Sequence, residues 1–295
     1  MPHFRVLLSL FLLGLSSFAS AAESLVSTDW LAKHKDDKSV IVIDMSSDYT
    51  QHQRFHVPGA IYLPYDAINL SRKDRVSVAV APQRLVDVLG FLGISADKHV
   101  VIYDDMGGLN ASRLYWQLEH IGHKKVSIVD GGLVKWIREG RPITGELTAT
   151  VKTRYIPTGG DMKNLATIED VLKAVDDKDT VLLDARSEEE YFGNPRFKRS
   201  GHIPGAIHYS WDNSVDFDRA FSMHPDSRVK SLLQEAGLVG KKDTPIIAYC
   251  RSGHRASHLY YTLKRLGYEN VRLYDGSIAE YQQRKDAPLK IGKEP

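Results

Sequence analysis

The chain has 295 residues, of which 42% are hydrophobic and 26% charged, and its net charge is +2. That balance is typical of a soluble globular protein, and the length suits about two domains, each with its own core. Acidic and basic residues are interspersed, with no long basic run or Lys/Arg stripe, so nothing in the charge pattern points to nucleic acid or to an anionic membrane surface.

The N-terminus is unlike the rest. His3 and Arg5 precede an apolar run at 6–15, followed by Ser-Ser-Phe-Ala-Ser-Ala-Ala. A weakly positive start, a short apolar core and small residues at the cut are the three parts of a secretory signal peptide. The core is shorter than the about 20 residues a membrane span needs. Residues 1–22 are therefore expected to be a signal peptide, cleaved after Ala21 or Ala22, and the mature chain to be exported, periplasmic or secreted, with no membrane attachment.

Next, Ser27 or Thr28 can cap a short helix through Lys33, and the β-branched run 40–43, ending in Asp44, predicts a buried strand. His56-Val-Pro-Gly-Ala-Ile61 is a turn leading into a short extended piece. Pro82 at a first helical position, with Leu85, Leu89 and Leu92 on one side, predicts a helix over 82–92 that Gly93 ends. A strand at 99–103, a loop at 104–110 and a helix at 111–121 stopped by Gly122 follow. A strand at 125–129, an Asp130-Gly-Gly turn and a helix at 133–139 close the unit.

The second half repeats this order. A run at 181–183 ending in Asp184 matches 40–43 with Asp44, and His202-Ile-Pro-Gly-Ala-Ile207 matches the turn at His56. Residues 105–132 align with 250–277 without a gap, and ten of the 28 positions are identical. A period of about 145 residues is the size of a domain rather than of a solenoid repeat. Two like domains are expected, at 23–145 and 165–295, joined by a linker at 146–164 that holds Pro157, Gly159 and Gly160. Strands alternating with helices predict an α/β fold, each domain a mainly parallel sheet flanked by helices.

Cys250 is the only cysteine. It follows a short apolar run at 246–249 that reads as a buried strand, and it precedes an amphipathic helix expected over 256–266. Between them a tight loop, 251–255, carries Gly253 and three potentially cationic side chains, Arg251, His254 and Arg255. A helix N-terminus, loop amides and guanidinium charge each favour thiolate over thiol, and the thiolate is the nucleophile. A buried structural cysteine is the competing reading. A lone thiol in an exported chain cannot form an internal disulfide, which favours chemical use. The repeat breaks at this loop. Cys250 aligns with Asp105, and Arg251, Ser252, His254 and Arg255 align with Met106, Gly107, Leu109 and Asn110. The first copy has thus lost the thiol and the cations and is expected to be non-catalytic, with Asp104 and Asp105 solvated on their loop.

Val26-Ser-Thr-Asp-Trp-Leu31, Asp184-Ala-Arg-Ser187, Gly201-His-Ile-Pro-Gly-Ala206 and Cys250-Arg-Ser-Gly-His-Arg255 together resemble the tandem-domain rhodanese sulfurtransferases, over about residues 24 to 290. The resemblance implies two rhodanese-like domains, a degenerate first copy, and transfer of sulfane sulfur from thiosulfate or a similar donor to cyanide or a thiol through a Cys250 persulfide. It implies Arg186 and Arg251 as substrate-binding residues, with Ser252, Gly253, His254 and Arg255 completing the loop. Arg255 could instead clamp the loop through Glu190. Ser252 departs from the family's thiosulfate enzymes, which often carry a lysine there. Mercaptopyruvate sulfurtransferases have glycine right after the cysteine, and Arg251 argues against that substrate. Phosphatases of related fold need one more residue between Cys and Arg than stands between Cys250 and Arg255. An exported sulfur carrier with slow turnover is the alternative of another class. No cofactor is called for, and no spacing joins the twelve scattered histidines to Cys250 in a metal pattern.

Overall fold

The computed structural model describes residues 22–159, 162–177 and 179–295. Of the expected signal peptide only Ala22 is among them. In the first half the elements run β1 (Leu25–Val26), α1 (Thr28–His34), β2 (Val40–Asp44), α2 (Tyr49–Arg54), β3 (Ile61–Tyr62), β4 (Asn69–Ser71), β5 (Ser77–Ala79), α3 (Pro82–Phe91), β6 (His99–Tyr103), α4 (Leu109–His120), β7 (Val126–Val129) and α5 (Gly132–Arg138). The second half gives β8 (Leu165–Ala166), α6 (Ile168–Asp176), β9 (Val181–Asp184), α7 (Glu188–Phe192), β10 (Ile207–His208), β11 (Val215–Asp216), β12 (Ser222–Met223), α8 (Asp226–Glu235), β13 (Ile246–Tyr249), α9 (His254–Arg265), β14 (Val271–Tyr274) and α10 (Ser277–Tyr281).

Two five-stranded sheets result, ordered β1-β7-β6-β2-β3 and β8-β14-β13-β9-β10. Every pairing in them is parallel, and the two orders are the same order read through the repeat. Helices on both faces explain why β6 (His-Val-Val-Ile-Tyr) and β13 (Ile-Ile-Ala-Tyr) are nearly continuous apolar runs. Each domain also carries a short antiparallel hairpin, β4–β5 or β11–β12, that the sequence pattern did not announce. Helix α2 was also unannounced. Its sequence, Tyr-Thr-Gln-His-Gln-Arg, has no apolar stripe, and the Asp48 side chain caps it. Helices α4 and α9 begin two residues earlier than expected, each after a left-handed glycine, Gly108 and Gly253.

The domains pack through α4 against α9. Each hairpin reaches across. The Ala79 amide of β5 donates to Asp275 Oδ2 (2.7 Å), and the Met223 amide of β12 donates to the matching Asp130 Oδ1 (2.8 Å). The linker is laid over the first domain. Thr153 N donates to Gly90 O (2.9 Å), the buried Tyr155 hydroxyl meets His123 Nδ1 (2.7 Å), and Trp116 Nε1 donates to Asn164 O (3.2 Å).

Candidate active site

Cys250 lies immediately beyond the carboxyl end of β13, a central strand, where loops in open α/β sheets carry binding sites. Its chain turns back through Gly253 (φ +76°) into α9, so His254 and Arg255 form the first turn of that helix instead of the loop expected for them. The support comes from Ser277, which the sequence reading did not single out. Its Oγ accepts from the amides of Cys250 (3.1 Å) and Gly253 (3.0 Å) and donates to Tyr274 O (2.8 Å). Ser277 adopts φ +51°, a left-handed conformation unfavourable for a residue with a Cβ. The first domain has glycine there, Gly132, at φ +50°. From α10, Ile278 N and Ala279 N donate to the carbonyls of Cys250 and Arg251. Cys250 itself is 1% exposed.

The first-domain loop shows what this backbone is shaped to hold. Asp104, expected to be solvated, is 1% exposed, and its carboxylate accepts from the amides of Met106, Gly108, Asn110 and Ala111 at 2.8–3.0 Å. Burial raises its pKa, and the Ala111, Gly108 and Met106 amides oppose that rise. The loop is an anion cradle filled by the chain's own carboxylate. The matching residue in the second domain is Tyr249, whose side chain is buried with its hydroxyl accepting from Ile203 N. The amides of Arg251, Arg255 and Ala256, counterparts of three Asp104 donors, have no acceptor among the described residues. They lie around the thiol-bearing turn as donors suited to an anion. Asp105, the counterpart of Cys250, turns to α2 instead and accepts from Ser47 N (3.0 Å) and Ser47 Oγ (2.8 Å).

The charged residues expected at the site divide sharply. Arg251 is exposed and Ser252 half-buried on the rim. Arg255 is the clamp: its guanidinium forks onto Glu190 at 2.5 and 3.0 Å. Burial pushes the Glu190 carboxyl up, but Arg255 outweighs it and leaves the pKa lowered. Glu190 also closes the Ser187 capping box of α7, so the clamp ties the Cys250 loop to β9–α7. Arg186 is buried, its Nε and Nη2 on Asp184 and Nη2 also on Gly201 O (3.0 Å). The family resemblance implies substrate binding for Arg186, but its fork is largely taken up bracing the turn from β9. His254 corrects another expectation. Burial, then the Arg113 and Arg255 charges, push its pKa down to about 3, so it is a neutral imidazole and adds no cation.

Several groups facing the loop come from the first domain, which sequence position could not reveal. His254 Nε2 meets Asn110 Oδ1 (2.8 Å), and its ring packs on Tyr65 with centroids 4.5 Å apart. Arg113 of α4 is fully buried against Asp275, beside Gly253. Burial raises the Tyr65 pKa to about 12. The only hint in the sequence was an arginine within the apolar stretch of α4. Among the described residues no group of three or more His, Cys, Asp or Glu is placed to hold a metal ion.

Comparison with known proteins agrees with this architecture. The family profile for the rhodanese-like domain matches residues 27–139 and 167–284. A Mycobacterium bovis protein named "Putative thiosulfate sulfurtransferase 1" is 33% identical over 280 residues, 91% of this chain and 98% of its own. A Thermus thermophilus protein named "Sulfur carrier protein TtuD" is 34% identical over 287 residues, 92% of this chain and 98% of its own. Among solved structures, an anaerobic ergothioneine biosynthesis enzyme from Chlorobium limicola superposes with a TM-score of 0.81 at 20% identity, covering 92% of this chain and 70% of that one, a likeness of fold.

Proposed function

The chain belongs to the rhodanese family, with two rhodanese-like domains and the sulfurtransferase chemistry its relatives support, and from that premise we propose that it moves sulfane sulfur from thiosulfate to a small nucleophile through Cys250. The observation that carries this reading is the pairing of a single thiol with an anion cradle whose counterpart in the first domain is filled by Asp104. A dianionic donor fits a ring of unpaired amides held at a helix N-terminus.

The Cys250 thiolate attacks the outer sulfur of thiosulfate. The sulfur–sulfur bond of the donor breaks, its electron pair leaves on sulfite, and Cys250 carries a persulfide. Cyanide or a thiolate then attacks the outer sulfur, the sulfur–sulfur bond to Cys250 breaks, and its electron pair returns to Cys250 as thiolate, releasing thiocyanate or a new persulfide. The loop amides hold the terminal charge of the persulfide, and the Arg255–Glu190 clamp keeps the turn in place between the two steps. No cofactor enters either step. The alternative donor, 3-mercaptopyruvate, fits less well, because Arg251 stands directly after the thiol where enzymes for that substrate carry glycine.

Intact mass before and after thiosulfate, then after cyanide, tests the reading. A gain of one sulfur on Cys250 that cyanide removes, with thiocyanate formed over many turnovers, is expected. A stable gain that cyanide removes slowly supports the sulfur-carrier reading, which the recessed thiol favours. No gain sinks both for thiosulfate. We further propose that the chain is exported after cleavage following Ala21 or Ala22. A mature N-terminus at Ala22 or Glu23 in the exported fraction is the expected result, and an intact Met1 there would overturn it.

A further inference from the structure

The two domains treat the underside of each other's loop differently. Position 113 of α4 and position 258 of α9 are equivalent in the repeat, and each side chain crosses the domain interface. His258 reaches Gly107 O of the first-domain loop (3.1 Å), and burial pushes its pKa down to about 4, leaving it neutral. Arg113 reaches the second-domain loop instead and is 0% exposed. Its Nε donates to Asn69 Oδ1 (2.8 Å), its Nη1 lies 3.4 Å from Ser257 Oγ, and Nη2 is buried with no partner. Nη1 is also 2.6 Å from Asp275 Oδ1, although the N–H is not aimed along that line, so the contact is an ion pair and not a directed hydrogen bond.

This pair sits directly beneath the turn. A Cβ on Gly253 would overlap Asp275 Oδ1 and lie 2.8 Å from Arg113 Nη1. Ser257, which touches Arg113, donates to Gly253 O (2.7 Å). Asp275 is held from its other side by Ala79 N. The charged and titratable groups around the thiol are Arg251, Arg255 with Glu190, His254, Asp275 and, from the first domain, Tyr65 and Arg113. Of these, Tyr65, Arg113 and Arg255 lie within electrostatic reach of Cys250.

We propose that Arg113, supplied by the domain without a thiol, is a positioning residue for the Cys250 loop: with Asp275 it fixes the Gly253 turn, and it sets a buried positive charge behind the nucleophile. This rests on the reading of Cys250 as the nucleophile. The first domain is then part of the active site rather than a scaffold beside it. A fully buried guanidinium is costly unless paired, and here Nη1 is paired with Asp275 and lies beside the Gly253 turn.

Arg113→Met, Arg113→Lys and Asp275→Asn in the full chain test this. Folding is followed by thermal melts, Cys250 reactivity by iodoacetamide alkylation at pH 7 with intact mass, and turnover with thiosulfate and cyanide. In folded protein, Arg113→Met is expected to slow alkylation and lower kcat by about tenfold, with a smaller change in the thiosulfate KM. Arg113→Lys, which keeps the charge, is expected to recover most of the alkylation rate. Asp275→Asn keeps the size of the side chain beneath Gly253, so that the turn stays braced, and removes only its negative charge; it is expected to speed alkylation. A folded Arg113→Met with wild-type alkylation and kcat overturns the proposal. So does slowing in both Arg113→Met and Asp275→Asn, because loss of packing alone gives both variants the same sign. If Asp275→Asn does not fold, Arg113→Lys decides: alkylation as slow as in Arg113→Met overturns the role of the charge. If Arg113→Met does not fold, wild-type or slowed alkylation in Asp275→Asn overturns it. Alkylation needs no sulfur donor, so wild-type protein that takes no sulfur from thiosulfate would refute the functional reading while leaving this test intact.

Discussion

The loops at Asp105 and Cys250 stand at equivalent places in the repeat and have opposite chemistry, and the first has an additional left-handed residue, Gly107 (φ +71°), where the second has Ser252. Both follow the same strand of the same sheet order, and both turn through a left-handed glycine into a long buried helix. In the first, an internal carboxylate from Asp104 satisfies four amides, so the loop is closed on itself. In the second, Ser277 satisfies two amides from below and leaves the outward donors for something else. The difference teaches that a side chain decides whether such a turn is filled by the protein's own anion. Asp104 fills the first, and Tyr249, in the matching place, leaves the amides of Arg251, Arg255 and Ala256 without an acceptor among the described residues. The equivalent helix position beneath each loop differs in the same sense, neutral His258 under the closed loop and Arg113 under the open one.

Exchanging the equivalent residues gives the largest expected contrast. Cys250→Ser abolishes transfer, whereas Asp105→Asn at the aligned position leaves thiocyanate release within about twofold, because Asp105 bonds Ser47 and not the cradle amides. A Cys250→Ser protein that still turned over would end the persulfide mechanism. Next in size is Arg186→Ala. Its removal leaves the buried Asp184 carboxylate without its guanidinium, a loss of about 3–5 kcal/mol of stability, read as a shift in the urea midpoint. Unchanged stability with weakened thiosulfate use would return Arg186 to substrate binding.

The two glycines sharpen the comparison further. Gly253→Ala places a methyl group into Asp275, on top of left-handed strain, and should cost more than about 2 kcal/mol along with activity. Gly108→Ala finds its nearest neighbour at 3.7 Å, so only the strain of about 1–2 kcal/mol applies. Equal losses in chemical denaturation would contradict the packing described. The last contrast is in pH dependence. His254 and His258 titrate near 6.5 when unfolded but are held down to about 3 and about 4 by burial. As pH falls below 6.5 the unfolded chain takes up protons that the folded protein refuses, so stability drops by about 1.4 kcal/mol per pH unit for each histidine. Urea midpoints between pH 7.5 and 5 should decline less steeply in His254→Gln, and an identical slope would show that His254 does not contribute.

Much of the molecule was legible without coordinates. The gapless match of 105–132 with 250–277 determined two like domains, and the short β-branched runs before Asp44, Asp104, Asp184 and Cys250 determined central parallel strands, because a strand covered on both faces must be apolar throughout. The lone thiol at a strand end was legible as the candidate site, and the alternative of an Arg255–Glu190 clamp was already visible. Helix α2 and the two hairpins escaped because polar capping and pairing across the interface, rather than an apolar period, make them. Only the tertiary structure decided which charges work. Arg186 is drawn into a buried ion pair, His254 loses its proton to desolvation, and Arg113 arrives from another domain. Each outcome depends on burial and on partners distant in the chain, quantities that local sequence does not encode, whereas hydrophobic period and backbone repeat are local and can be read directly.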